Sequence, residues 1–202
     1  MSADIPFGNV YDKYGSRHPL EAWLVRRHFE VLCWLVRRTH PWSVLEIGCG
    51  EGELARALVQ RALPPTARYL ATDLLAGELA GRPTPDERIR CAAMDATRLA
   101  VAERSVDLVL AFEVLEHLAR PDQAVAEAAR VTREHVILSV PWEPVWRIGN
   151  LARGRYWADR GNTPGHVQHF SRRDLRNLVT PHLQIVEEHH PLPWTVILAR
   201  RR

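Results

Sequence analysis

A chain of 202 residues, 46% hydrophobic and 25% charged, is long enough to bury one sizeable core and too short for two ordinary domains. Its 27 Lys and Arg stand against 24 Asp and Glu, and a formal net charge of +3 permits an anionic partner without demanding one. Three widely spaced cysteines, Cys33, Cys49 and Cys91, lack the CxxC pairing of a zinc or redox site, and no apolar run reaches the roughly 20 residues of a spanning helix. The opening "MSADIPFGNVYDKYG" has neither the basic start nor the apolar core of a signal segment, so a cytoplasmic protein is expected.

From Leu20 to Arg38, "LEAWLVRRHFEVLCWLVRR" sets Leu20, Trp23, Leu24, Val31, Trp34 and Leu35 at helical spacings among arginines, which predicts one amphipathic helix or two, closed by Pro41. Strand and helix then alternate: "SVLEIG" as a strand, "GELARALVQRAL" as a helix, and "RYLATDL" and "IRCAAMDA" as strands. "VDLVLAF" and "HVILSVP" read as buried strands around the helix "PDQAVAEAARVT". The exception comes at the end, where "LQIVEEHH" and "WTVILAR" are joined by a turn too tight for a crossover and must run antiparallel. Two stretches break the alternation. One is the Gly- and Pro-rich loop Gly77 to Arg88, and the other is Pro141 to about His169, too long for an idle connection. The pattern predicts a Rossmann-like, doubly wound α/β sheet, mostly parallel, with an antiparallel C-terminal strand.

In such a sheet ligands sit beyond the carboxyl ends of the strands, where the strand order reverses, and Gly48, Gly50 and Gly52 follow the first strand there. Glu53 stands where a dinucleotide fingerprint needs its last glycine, and the phosphate loop with Lys and Ser/Thr is absent. Glu46 and Glu51 would repel a pyrophosphate, so a neutral or cationic ligand fits better. Asp73 ends the second strand about 20 to 25 residues on, where an acid can accept both hydroxyls of a ribose. Asp95 could accept from an adenine amine, and Met94 could lie against the ring. A nucleoside with a cationic tail, such as S-adenosylmethionine, satisfies all of these. Bland readings stand beside these: structural turns for the glycines, a helix cap for Asp73, and no contact for Asp95.

Over roughly Trp42 to Arg200 the chain resembles the class I S-adenosylmethionine-dependent methyltransferases, and more narrowly the ubiquinone-biosynthesis O-methyltransferase-like, type 11 group. "VLEIGCGEGELA" is similar to their first motif, "YLATDL" to the second, "AAMDAT" to the third and "VDLVLAFEVLEHL" to the fourth. The resemblance implies that Glu46, Gly48 and Gly50 hold the methionyl end, Asp73 with Leu74 the ribose, Met94 and Asp95 the adenine, and that Phe112 faces the methyl donor. It also implies a segment before the first motif that folds over the cofactor, for which Tyr11 and Tyr14 are placed; a simple docking segment is the other reading.

Methyl transfer needs a base only if the nucleophile arrives protonated, and His166, His117 and Glu113 are the catalytic candidates. The ExxEH run is similar to the metal-binding segment of ubiquinone-biosynthesis O-methyltransferases and of small-RNA 2′-O-methyltransferases. Glu113, Glu116 and His117 on one helical face, completed by His166 or His169, would hold Mg2+ or Mn2+; plain helix packing is the alternative. A capping box, Ser171 with Asp174, is expected after "GHVQHF". Trp142, Trp146, Tyr156 and Trp157 interleave with Arg147, Arg153, Arg155 and Arg160, which suits a flat or lipid-linked anionic acceptor, or membrane-surface contact through 142–160.

The expected organisation is therefore one domain: an N-terminal helical cap over 1–40, a cofactor-binding core over 42–140, a substrate loop or lid over 141–170, and a C-terminal helix and hairpin over 171–202. The expected function is methyl transfer to oxygen or nitrogen of a small molecule. A metal-dependent RNA 2′-O-methyltransferase is the first alternative, against which stand the modest charge and the lack of a separate RNA-binding module. A non-catalytic cofactor-binding regulator is the second.

Overall fold

The computed structural model describes residues 19–74, 86–143, 145–146 and 166–202. Tyr11, Tyr14, Arg147, Arg153, Arg155, Tyr156, Trp157 and Arg160, with most of the 77–88 loop, lie outside those residues. Among the described residues seven strands form one sheet: β1 (Ser43–Ile47), β2 (Arg68–Asp73), β3 (Ile89–Ala93), β4 (Val106–Phe112), β5 (Thr132–Pro141), β6 (Leu183–His189) and β7 (Trp194–Arg201). Their spatial order is β3-β2-β1-β4-β5-β7-β6. The β1–β2, β2–β3, β1–β4 and β4–β5 pairs are parallel, whereas β7 is antiparallel to both neighbours. The terminal hairpin thus places its second arm between β5 and β6, as the short "PLP" connection demands.

Among the described residues the sheet is covered by α1 (Pro19–Thr39), α2 (Glu53–Arg61), α3 (Pro121–Val131) and α4 (Arg172–Val179). Alternation along the strands divides the core in two. Val44 of β1 with Leu108 and Leu110 of β4 packs toward Leu32 and Leu35 of α1 and Leu58 of α2. Leu45 and Ile47 with Val109 and Ala111 pack the other way, toward Val125 and Ala128 of α3 and Leu175 of α4. Burying a side chain of this size stabilises by about 1.5–3 kcal/mol, so both layers together hold the sheet.

Helix α1 is a single helix that stops at Thr39, where His40 takes a left-handed φ of 43° directly before Pro41. The other helix ends follow equally local rules. Pro121 opens α3 in the first turn, where its missing N–H costs nothing. Ser171 and Asp174 form the reciprocal capping box at α4. At the far end of the sheet Asp107 ties three strands: Oδ2 accepts from the Ser43 N–H at 2.9 Å and the Trp42 N–H at 3.0 Å, and Oδ1 accepts from Arg133 at 3.0 Å. Among the described residues no helix is long and apolar enough to cross a membrane.

Candidate cofactor and acceptor cleft

The strand order reverses between β1 and β4, and the cleft opens there, lined by Glu46, Gly48 and Gly50 from the β1 side and by Phe112 and Glu113 from the β4 side. Gly48, Gly50 and Gly52 all have left-handed φ, of 71°, 50° and 74°. At Gly48 the demand is double, because a Cβ there would also run into Val114 Cγ2 and come within 2.9 Å of Cγ1. The turn is pinned by the Gly50 N–H donating to Asp73 Oδ2 at 2.9 Å and the Cys49 N–H donating to the Thr72 carbonyl at 2.9 Å.

Glu46 sits at the floor, 2% exposed, accepting from the Tyr69 hydroxyl at 2.9 Å. Burial pushes its carboxyl up to about 7; the neighbouring Asp73 charge adds to this and the Tyr69 hydrogen bond opposes it. Glu53 and Glu113 also line the cleft. The Cys49 thiol is pushed up by burial and by the Glu46 and Asp73 charges, so it is an inert wall and not a nucleophile. A cleft lined by Glu46, Glu53 and Glu113, with Asp73 behind its turn, repels phosphates and suits a cationic tail.

The adenine and ribose candidates lie along the rim. Asp73 closes β2, Leu74 beyond it is exposed, and the half-buried Met94 donates its N–H to the Asp73 carbonyl at 3.0 Å. Asp95 is exposed, and its Oδ1 accepts from the Thr97 N–H and hydroxyl at 2.8 and 2.7 Å in a local turn.

The ExxEH run departs from the expected geometry. Only Leu115–His117 forms a helical turn; Glu113 precedes it with a left-handed φ of 61°, a conformation that costs a non-glycine residue about 1–3 kcal/mol. Its carboxylate accepts from Trp194 Nε1 at 2.7 Å and from the Ser139 hydroxyl at 3.3 Å. Glu116, His117 and His166 do converge, with candidate ligand atoms within 4.8 Å of one another. Of the other two residues proposed for a metal, Glu113 contacts Trp194 and Ser139, and His169 lies 3.8 Å from Glu143. His166 is buried, edge-on to His117 with ring centres 4.9 Å apart.

The structure adds residues that sequence reading passed over. His28 of α1 is buried between Phe112 and Trp194, with ring centres 4.4 and 4.2 Å away, and its Nε2 is 2.8 Å from Ser139 Oγ. Ser139 thus bridges His28 and Glu113. One signal was available: a histidine on the same helical stripe as Leu24, Leu32 and Leu35 is a polar group on a buried face. Nothing in sequence marked Trp194, which the hairpin brings from 81 residues beyond Glu113.

This strand order with an inverted seventh strand, and a glycine turn over an acid-lined cleft, define the class I methyltransferase architecture. Residues 45–140 match the methyltransferase domain family, and the chain is similar to S-adenosylmethionine-dependent methyltransferases. A probable S-adenosylmethionine-dependent methyltransferase of Mycolicibacterium smegmatis is 33% identical over 126 residues, 56% of this chain and 42% of the relative. The chain therefore spans less than half the length of that relative. The fold is shared with a solved S-adenosylmethionine-dependent methyltransferase of Mesorhizobium loti, at a TM-score of 0.66 and 16% identity, covering 87% of this chain and 98% of that one. It is also shared with magnesium protoporphyrin IX methyltransferase of Synechocystis with bound S-adenosylhomocysteine, at a TM-score of 0.65 and 17% identity, covering 93% and 90%.

Proposed function

We propose that the chain transfers a methyl group from S-adenosylmethionine to oxygen or nitrogen of a small acceptor, aromatic or lipid-linked. The observation that carries this is the acid-lined, phosphate-excluding cleft over a glycine turn into which a Cβ at Gly48 would not fit. Glu46 with the Gly48 and Gly50 backbone would hold the methionyl end, Asp73 and Leu74 the ribose, and Met94 with Asp95 the adenine. Phe112 would face the reacting end. When bound, the cofactor supplies a methyl group already activated on sulfonium, so the protein's part is positioning and exclusion of water. His28, Phe112 and Trp194 form the aromatic wall that excludes it. His166, His117 and Glu113 stand on the acceptor side as proton acceptors, the last held by Trp194 and Ser139. The free cysteines suit a reducing cytoplasm.

A second reading, metal-dependent RNA 2′-O-methyl transfer, is favoured by one observation, the convergence of Glu116, His117 and His166. Two imidazoles and a carboxylate suit a divalent transition metal, Mn2+ among them, better than Mg2+. A non-catalytic cofactor-binding regulator would keep the first half of the site and lack the second. Calorimetric titration of S-adenosylmethionine and S-adenosylhomocysteine into wild type and Asp73→Ala, with and without Mn2+, tests the cofactor site that all three share and the metal that the second reading needs. Binding that is lost in Asp73→Ala supports the cofactor assignment, and a wild type that binds neither molecule overturns it. A Mn2+-dependent signal that disappears in His117→Ala moves the second reading forward.

A further inference from the structure

Helix α1 carries two different faces. Its inner face, Leu32, Cys33, Leu35 and Val36, is part of the core, and Val25, His28 and Phe29 of the same side line the cleft. The outer face is exposed, yet it is not the polar face of an ordinary surface helix. Trp23 is 50% exposed and Trp34 43%, 11 residues apart and therefore about 16 Å along the axis and within about 20° of each other around it.

Around that tryptophan line the arginines are placed on both sides. At about 100° per residue, Arg26 and Arg37 fall about 40–60° to one side of Trp23, and Arg27 and Arg38 about 40–60° to the other. Leu20, 57% exposed, lies beside the second pair. The one acid on this face, Glu30, is 4.0 Å from Arg27. Arg38 lies over the Trp34 ring at 4.5 Å and also pairs with Glu187. Four arginines against Glu30 and Glu187 leave the face positive by two charges.

A central aromatic row with cations at both margins matches a helix lying in the plane of a lipid interface. There indole rings sit at headgroup depth and the arginines reach outward to anionic headgroups. Duplex nucleic acid is gripped by cations on its phosphates, and that leaves the central row of rings without a role. We propose that the outer face of α1 docks on an anionic lipid surface, with the helix parallel to it. Because the opposite side of α1 is a wall of the cleft, such docking would bring an acceptor dissolved in that surface close to the site. That last point rests on the methyltransferase reading; the docking does not.

The test is co-flotation of the full chain with phosphatidylcholine vesicles and with phosphatidylcholine–phosphatidylglycerol vesicles, at low salt and at about 0.5 M salt. The expected result is binding to the anionic vesicles alone, weakened by salt. Removing two arginines by Arg26→Gln with Arg27→Gln should weaken it about twenty-five-fold, at about fivefold for each charge. Trp23→Ser with Trp34→Ser should abolish it. The arginine pair is exposed, so its variant reports on the surface even if the tryptophan variant folds poorly. Equal binding to neutral and anionic vesicles, or none to either, overturns the proposal. So does sedimentation showing a dimer that the tryptophan variant dissolves, or salt-sensitive binding to RNA without binding to vesicles. Cofactor titration of the same variants should be unchanged, which separates failure of docking from failure of the methyltransferase reading.

Discussion

Glu46→Gln separates what the cleft floor does for the fold from what it does for a ligand. In the wild type the folded-state carboxyl titrates at about 7, against 4.5 for an unburied glutamate. The sign follows from linkage: a group whose folded value is raised contributes stability that is fully present below 4.5 and is lost as pH rises through 7. At about 1.4 kcal/mol per pH unit, ionising Glu46 in place costs the empty protein at most about 3 kcal/mol at pH 8. Glutamine keeps an acceptor for the Tyr69 hydroxyl and carries no charge. Glu46→Gln should therefore be as stable as wild type near pH 4.5, gain on it between pH 4.5 and 7, and stay ahead by up to about 3 kcal/mol above. Urea unfolding from pH 4.5 to 8.5 reads this difference. Under the proposed assignment the same variant binds S-adenosylmethionine about ten- to hundredfold less tightly, since a charged hydrogen-bond partner worth about 1.5–3 kcal/mol is lost. Wild-type affinity should fall as pH drops through 7, and the variant's should not. A variant less stable than wild type at pH 8 would refute the burial argument, and unchanged affinity would refute the role of Glu46 toward the cationic tail.

Four further substitutions probe the frame. Gly48→Ala meets both a left-handed φ and Val114, so it should cost about 2–4 kcal/mol by urea unfolding; Val114→Ala in the same chain should return only the steric part, about 1–3 kcal/mol. Asp107→Asn should lose about 1.5–3 kcal/mol at neutral pH. Although burial raises the Asp107 carboxyl, the bonds from Arg133, Ser43 and Trp42 outweigh it and hold the group below its ordinary range. Its stability contribution is therefore present at neutral pH and lost on acidification, and the variant should show a shallower acid limb than wild type. His28→Ala removes a ring stacked on two others, each contact worth about 0.5–1.5 kcal/mol, and opens a cavity, so a loss of about 2–4 kcal/mol in thermal or urea unfolding is expected.

Much of the fold was legible because its determinants are local. The alternation of apolar strands with amphipathic helices, the Ser171 and Asp174 cap, and the short turn that forces β7 antiparallel are all set within a few residues. The glycine turn was legible for the same reason, since strand, turn and helix are contiguous. What could not be read were contacts between elements far apart in the chain. Spacing placed Glu113 with Glu116 and His117 on one helical face, but that argument assumes helical φ throughout. The left-handed φ at Glu113 breaks the assumption, and the Trp194 and Ser139 bonds that hold it come from β7 and β5. No periodicity within "FEVLEH" reports on a strand 80 residues later.

Helix α1 shows the same limit with a larger consequence. Read as one amphipathic stripe, its apolar positions all belong to a core, and Trp23 and Trp34 were grouped with Leu24 and Leu35. The structure separates them: Leu35 is fully buried and the two tryptophans point outward with the arginines. Neither position is needed for the core, since Leu32, Leu35 and Val36 already fill it. Keeping two large exposed rings in line, flanked by unburied cations, raises the risk of non-specific association that a solvated face would avoid. Such a face is stable against that risk when a surface covers it. The inner side of the same helix holds His28 against Phe112 and Trp194, so any surface that seats α1 also bears on the wall of the cleft.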